Sequence, residues 1–331
     1  MAPRKLRFLP TKATFQLGDK LGSGTVGVVY RATSDDIQEP VALKLLHPSV
    51  SGDEKIVDRF EREIQIMERL NHPHIVRHYG GGMLDGQYFY AMQLLEHGSL
   101  KDRLANGGPL PWPLAAAYGV QIASALQHAH NHGIVHRDLK PSNLFFDERG
   151  DLVLGDFGIA RDTFGADITA QGMTVGTYAY MSPEQITADT HISGKADLYS
   201  LGCVMFEMLT GRAPFQGANF AQVWEQHMRK EPPTVSSLGN DCPDWLEELI
   251  AQLLAKSPEE RPFSARAVEG LLLQHLLDEF GEEAARELTS ANRPGRTPQL
   301  SGDREKPRMW VILVTLVAIA VVLAVSAFSR G

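Results

Sequence analysis

The stretch HRDLKPSN, His136 to Asn143, followed thirteen residues later by Asp156-Phe157-Gly158, decides how this 331-residue chain folds. It falls where the character of the sequence changes. On its N-terminal side, Phe15 to Thr33 and Val41 to Leu46 are β-branched and punctuated by glycine. A helical pattern then runs from Asp53 to Leu70, and strands return around Tyr79 to Leu95. From Leu114 onward the helical period dominates, through Leu114 to His132, Asp197 to Thr210, Phe220 to Arg229, Trp245 to Ala255 and Ala265 to Glu279. The pattern predicts an α+β protein: a small, mostly β unit with one helix, then a larger helical unit.

Further out, LGSGTVGVVYRA places Gly22, Gly24 and Gly27 in a G-x-G-x-x-G spacing. Glycines let backbone N–H groups approach phosphate oxygens with no side chain in the way. A dinucleotide fold would continue into a helix, whereas Val28, Val29 and Tyr30 continue as a β-type run, so the loop reads as a hairpin folded over phosphates. Lys44 follows on the short strand VALK, where Val41 and Leu43 alternate with Ala42 and Lys44. A lysine near a low-dielectric cleft needs a carboxylate. In DRFEREIQIMERL, Phe60, Glu63, Ile64 and Met67 share one helical face, which makes Glu63 the expected partner and leaves Glu61 and Glu68 to solvent.

These motifs, with GTYAYMSPE, the run DLYSLGCVMFEMLTGRAPF and Arg261 of RPF, make the sequence similar to the eukaryotic-like serine/threonine protein kinase family, and to its bacterial membrane-anchored members, over about residues 15 to 275. The resemblance implies the bilobal protein kinase fold, with an N-lobe over about 15–95 and a C-lobe over about 96–275. It implies ATP with Mg2+, or Mn2+, as cofactors and Ser/Thr hydroxyls of proteins as acceptors. Phosphoryl transfer leaves a protein mainly positioning and charge stabilisation to supply. By resemblance Asp138 orients the hydroxyl and takes its proton, Asn143 and Asp156 offer oxygens to the hard cation, and Lys44 holds the α- and β-phosphates, positioned by Glu63. Lys140 corresponds to the lysine that serine/threonine kinases set near the γ-phosphate, and Thr177 points the same way. Met92 corresponds to the gatekeeper, with the backbone of Gln93 and Leu95 facing adenine. Leu21, Val29, Ala42 and Phe145 enclose the base.

Arg137 before Asp138 marks the subclass in which a phosphate on the activation segment can pair with arginine. Thr174 first and Thr169 second are the expected autophosphorylation sites, with Arg137 and Arg161 as partners. Ser182 and Gly155 depart from the commonest spelling without removing a catalytic group, and Glu184 is expected to pair with Arg261 inside the helical lobe. A pseudokinase or membrane-bound scaffold would lack a catalytic residue, and none is missing. A different nucleotide enzyme would show G-x-x-x-x-G-K-[ST], which does not occur.

The net charge of −8 argues against a general nucleic-acid binder. Cys203 and Cys242 are in neither disulfide-like nor zinc-like spacing. Residues 1–14 read as a solvated tail and 276–309 as a juxtamembrane linker rich in charge, Pro and Gly. Trp310 to Phe328 carries no charge, and at about 1.5 Å per residue its 19 residues reach roughly 28 Å, the length of a transmembrane helix. Arg293, Arg296, Arg304, Lys306 and Arg308 precede it and only Arg330 follows, within the tail 329–331. The bias predicts a single-pass membrane protein with a C-terminal anchor and a cytoplasmic catalytic domain. A removed lipid-anchor signal is the alternative and calls for a secretory N-terminus, which is not seen. Tethering to the bilayer would favour self-association and autophosphorylation in trans. The Ala320 and Ala324 pair offers a helix-association face, with ordinary lipid contact as its alternative.

Overall fold

The computed structural model of the chain describes residues 15–23, 27–35, 37–48, 64, 67–157, 178–187, 189 and 192–289. The N-terminal lobe is a five-stranded sheet, β1 (Phe15–Ser23), β2 (Gly27–Ser34), β3 (Ile37–Leu46), β4 (His78–Leu84) and β5 (Gln87–Gln93), in the order β1-β2-β3-β5-β4. Neighbouring strands are antiparallel. Alternation along β3 sorts its side chains: Val41, Leu43 and Leu45 join Phe15, Ala32, Phe89 and Ala91 in one buried cluster. Phe15 meets Phe89 edge-on at 5.1 Å. Ala42 and Lys44 take the opposite parity. β4 and β5 are joined by Asp85 (φ 49°) and Gly86 (φ 80°), the pair of left-handed residues that a two-residue hairpin of matching twist requires. Gly27 permits a close approach, because a Cβ there would stand 2.2 Å from the Leu45 carbonyl oxygen.

The C-terminal lobe contains α1 (Leu100–Gly107), α2 (Trp112–Asn131), the short strands β6 (Leu144–Phe146) and β7 (Leu152–Leu154), α3 (Pro183–Ile186), α4 (Lys195–Thr210), α5 (Phe220–Arg229), α6 (Asp244–Leu253) and α7 (Ala265–Thr289). α4 is apolar around nearly its whole circumference and accordingly runs through the core, with Tyr199, Cys203, Val204, Met205 and Phe206 all at 0% exposure. Gly211, at φ 75°, ends it by donating to the Glu207 carbonyl. α2 presents Ala115, Ala116, Ala117, Ala123 and Ala125 as small buried residues, and its Gly119 lies against Leu272 of α7. The lobes are stitched together where Val76 donates to the Leu154 carbonyl and Leu154 to that of His74. The two-lobed architecture of a protein kinase is therefore present, with the sheet above and the helices below one cleft.

One predicted boundary is corrected. The linker was expected from residue 276, but α7 continues to Thr289, broken at Gly281 (φ 78°, ψ 171°). Its last turns are part of the packed lobe: Leu276 and Ala285 are fully buried, and Phe280 rests 5.5 Å from Trp112. The high charge of this segment hid the buried residues among it. The predicted span 310–328 lies outside the described residues, as do the tails 1–14 and 329–331. Among the described residues no helix is long and apolar enough to cross a membrane.

Candidate active site

HRDLKPSN lies between α2 and β6, and Asp197 of α4 holds it from below. The Asp197 carboxylate is fully buried and accepts hydrogen bonds from the backbone N–H groups of His136 and Arg137, both at 2.8 Å, and from His130 Nε2 at 2.8 Å. Burial alone would raise its pKa; the His130 hydrogen bond and the neighbouring donors overcome this and hold it below the ordinary carboxylate range. Arg137 sits at φ 64°, a conformation costing a non-glycine residue about 1–3 kcal/mol, and its bonded amide helps offset that strain. His136 donates from Nε2 to the Gly155 carbonyl at 3.0 Å and accepts the Asp138 amide at Nδ1 (3.2 Å). Those two bonds specify the neutral Nε2–H tautomer, and burial depresses its pKa against the pull of Asp197. The imidazole also packs on Phe157, with centroids 4.6 Å apart.

Above this support, Asp138 Oδ2 receives Lys140 Nζ at 2.8 Å and Asn143 Nδ2 at 3.2 Å, and Asn143 Nδ2 also donates to the Asp138 carbonyl at 2.8 Å. Across the cleft, Lys44 Nζ reaches Asp156 Oδ1 at 3.1 Å. The Asp156 carboxyl is held low by the Lys44 charge, in spite of burial. Burial would pull Lys44 down; the Asp156 carboxylate and Tyr90 instead hold its pKa above the ordinary lysine value. Asp156 is itself at φ 45°, so both aspartate-bearing segments of the site carry left-handed backbone at or beside the acid. The donor set fits a hard divalent cation, because the Asp156 carboxylate and the Asn143 amide oxygen, which accepts no hydrogen bond among the described residues, are the oxygens such an ion selects.

Strand pairing places several of the residues expected around adenine. Ala42 pairs with Met92 across β3 and β5, Val29 with Lys44 across β2 and β3, and Phe145 bridges to Ser99, just beyond the hinge (residues 93–96) at the end of β5. Gln93 donates its N–H to the Arg77 carbonyl at 2.8 Å, so that group belongs to the sheet rather than to a base. Leu95 follows just past the end of β5, Leu21 is 49% exposed on β1, and Gly22 has open space around it. Gly155, one of the departures in spelling, lies under Phe145, where a Cβ would meet Cε2 at 3.1 Å. Arg31 of β2 and Glu96, in the segment after β5, form an ion pair.

Gly24, Glu63, Thr169 and Thr174 lie outside the described residues. Ile64 and Met67, both 7% exposed, belong to the core. Four supporting residues escaped the sequence reading: Asp197, His130, Tyr90 and Gln185. Ser182, the second departure, caps α3 in a reciprocal box with Gln185, whose Nε2 then reaches the Arg137 carbonyl at 2.9 Å. The expected Glu184–Arg261 pair is present and bidentate, at 2.6 and 2.8 Å, with the arginine also donating to the carbonyls of Ala255, Lys195 and Lys256.

A cleft with a lysine on β3, an aspartate–lysine–asparagine loop and an aspartate facing that lysine is the arrangement of a phosphotransferase of the kinase class. The profile of the protein kinase domain matches residues 15–272, and the chain belongs to that family. It is similar to serine/threonine-protein kinase PknL of Mycobacterium tuberculosis, 35% identical over 272 residues that cover 81% of this chain and 68% of PknL. It is also similar to PknD of the same organism, 38% identical over 252 residues, of which it spans 38% of the length. A crystal structure of the M. tuberculosis PknI kinase domain superposes with a TM-score of 0.61 at 27% identity, covering 78% of this chain and 95% of that one. The protein is a serine/threonine protein kinase, and with the family come ATP and a divalent metal.

Proposed function

We propose that this protein is a membrane-tethered kinase that transfers the γ-phosphate of magnesium ATP to Ser/Thr hydroxyls of proteins, with its catalytic domain in the cytoplasm. The observation that carries the reading is the meeting of groups in one cleft: Lys44 of the sheet lobe reaches across to Asp156, and Asp138 with Lys140 and Asn143 lies on the helical side that also carries Asp156. A bound magnesium ion would neutralise phosphate charge. Asn143 and Asp156 hold it, Lys44 holds the α- and β-phosphates, and Glu63 positions Lys44. Asp138 orients the acceptor hydroxyl and takes its proton, while Lys140, 2.8 Å from that carboxylate, neutralises charge at the transferring group. Leu21, Val29, Ala42, Met92 and Phe145 form the adenine slot beneath Gly22, Gly24 and Gly27. The hinge presents the Gln93 carbonyl and the Leu95 backbone.

The uncharged run 310–328 with its basic N-terminal flank supports the anchor, and tethering would bring kinase domains together for autophosphorylation of Thr174 and Thr169 in trans. Incubation with labelled ATP, magnesium and a generic Ser/Thr substrate tests the transfer. Lys44→Met and Asp138→Asn should each lower kcat at least about 100-fold, and full activity in both would overturn the residue assignment. Phosphopeptide mapping of the parent against Asp138→Asn tests autophosphorylation, with Thr174 expected to lose its phosphate. Alkaline carbonate should leave the full chain in membranes and release a chain ending at residue 309.

A further inference from the structure

Asp156 is not the only group that holds Lys44. β3 and β5 pair so that Lys44 stands directly across from Tyr90. The ammonium lies 5.7 Å from the centre of the tyrosine ring, within the range of a cation–π contact. Behind Tyr90 stands His78 of β4, with the two rings 5.6 Å apart and tilted by 39°. His78 Nε2 is buried and has no hydrogen-bond partner among the described residues. Burial pushes the His78 pKa down to about 4, so this imidazole is neutral and sets no second cation beside Lys44. The charged and titratable groups described around the ammonium are thus Asp156 after β7, Tyr90 on β5 and His78 on β4.

The two holds on Lys44 differ in kind. Asp156 is also an expected oxygen ligand of the divalent cation, so nucleotide binding redistributes its charge away from the lysine. Tyr90 is uncharged, is fixed in a central strand, and offers both a hydroxyl and a π face to a cation. Neither feature depends on what Asp156 binds. We propose that Tyr90, backed by His78, is a positioning residue for Lys44, keeping the ammonium at the place in the cleft where phosphate oxygens arrive; this rests on the reading of Lys44 as the phosphate-holding cation.

The test compares the full chain with Lys44→Met, Tyr90→Phe and Tyr90→Leu. Calorimetry gives the affinity for magnesium ATP and for adenosine, which has no phosphate, and steady-state assays give KM and kcat. Tyr90→Leu is expected to weaken ATP binding and raise the KM for ATP about 5- to 10-fold, and to leave adenosine within about twofold of the parent. Tyr90→Phe keeps the ring and should lose about 2- to 3-fold for ATP. Lys44→Met should lose ATP affinity while retaining adenosine. If Lys44→Met binds ATP as tightly as the parent, the underlying reading of Lys44 fails. If Lys44→Met loses ATP but both tyrosine variants keep it, or lose ATP and adenosine in equal proportion, the positioning role is wrong. A fall in kcat with both affinities unchanged marks a smaller folded fraction and overturns it equally. Should Tyr90→Leu not fold, the near-isosteric Tyr90→Phe carries the same comparison.

Discussion

Asp197 shows what a single side chain does in this fold. A fully buried carboxylate is unfavourable unless its lone pairs are filled, and here three donors fill them, two from the backbone of the catalytic loop. Asp197→Asn replaces one accepting oxygen with an N–H group that faces other N–H groups. The expected result is a loss of about 2–4 kcal/mol in unfolding free energy, together with a fall in kcat larger than any change in the KM for ATP, since Asp138 rather than the nucleotide slot is displaced. Denaturant titration alongside steady-state kinetics checks both; a stable variant with parental kcat would contradict the anchoring role. The motifs made the cleft side chains legible, because Asp138, Lys140 and Asn143 are adjacent in sequence. The support beneath them was not legible, since Asp197 lies 61 positions from His136 and nothing local signals the contact.

At the scale of elements, hydrophobic period served well where strands and helices carry apolar faces and failed where charge masks burial. β3 was readable because Val41, Leu43 and Leu45 alternate with Ala42 and Lys44. The end of α7 was not, since FGEEAARELT is polar apart from a few positions, and those positions are the ones that pack. Phe280 against Trp112, and buried Leu276 and Ala285, make residues 276–289 a working part of the C-terminal lobe although the family match ends at 272. A chain ending at 275 exposes the Trp112 face and the surface that Ala285 covers. Its melting temperature should fall several degrees below that of a chain ending at 289, with about 2–4 kcal/mol lost by the usual cost of buried side chains. Equal melting temperatures would return this segment to the status of a linker.

Across the whole molecule, a set of histidines is kept neutral by the fold. Burial lowers His72 to about 4, His78 to about 4 and His227 to about 3, and it depresses His128 and His136 in the same direction. They fall in different places: His72 meets His128 of α2 with the rings tilted by 34°, His136 underlies the catalytic loop, and His227 of α5 is bonded through Nδ1 to the Tyr199 hydroxyl of α4 at 2.9 Å. Each has a folded pKa below the unfolded value of about 6.5, so the unfolded chain binds more protons as the pH falls. Their stabilisation is therefore fully present above about pH 6.5 and is lost as the pH falls through about 4 to 3. A buried group of this kind contributes a slope of up to about 1.4 kcal/mol per pH unit inside that window. Urea midpoints measured at pH 7.5, 6 and 5 should fall progressively, with the steeper loss below 6. His227→Gln, which retains a polar contact to Tyr199 but cannot be protonated, should start lower at pH 7.5 and decline less steeply. Midpoints that do not move between pH 7.5 and 5 would mean that these imidazoles are already solvated in the native state, and the burial that links α2, the catalytic loop and α5 to the core would have to be redrawn.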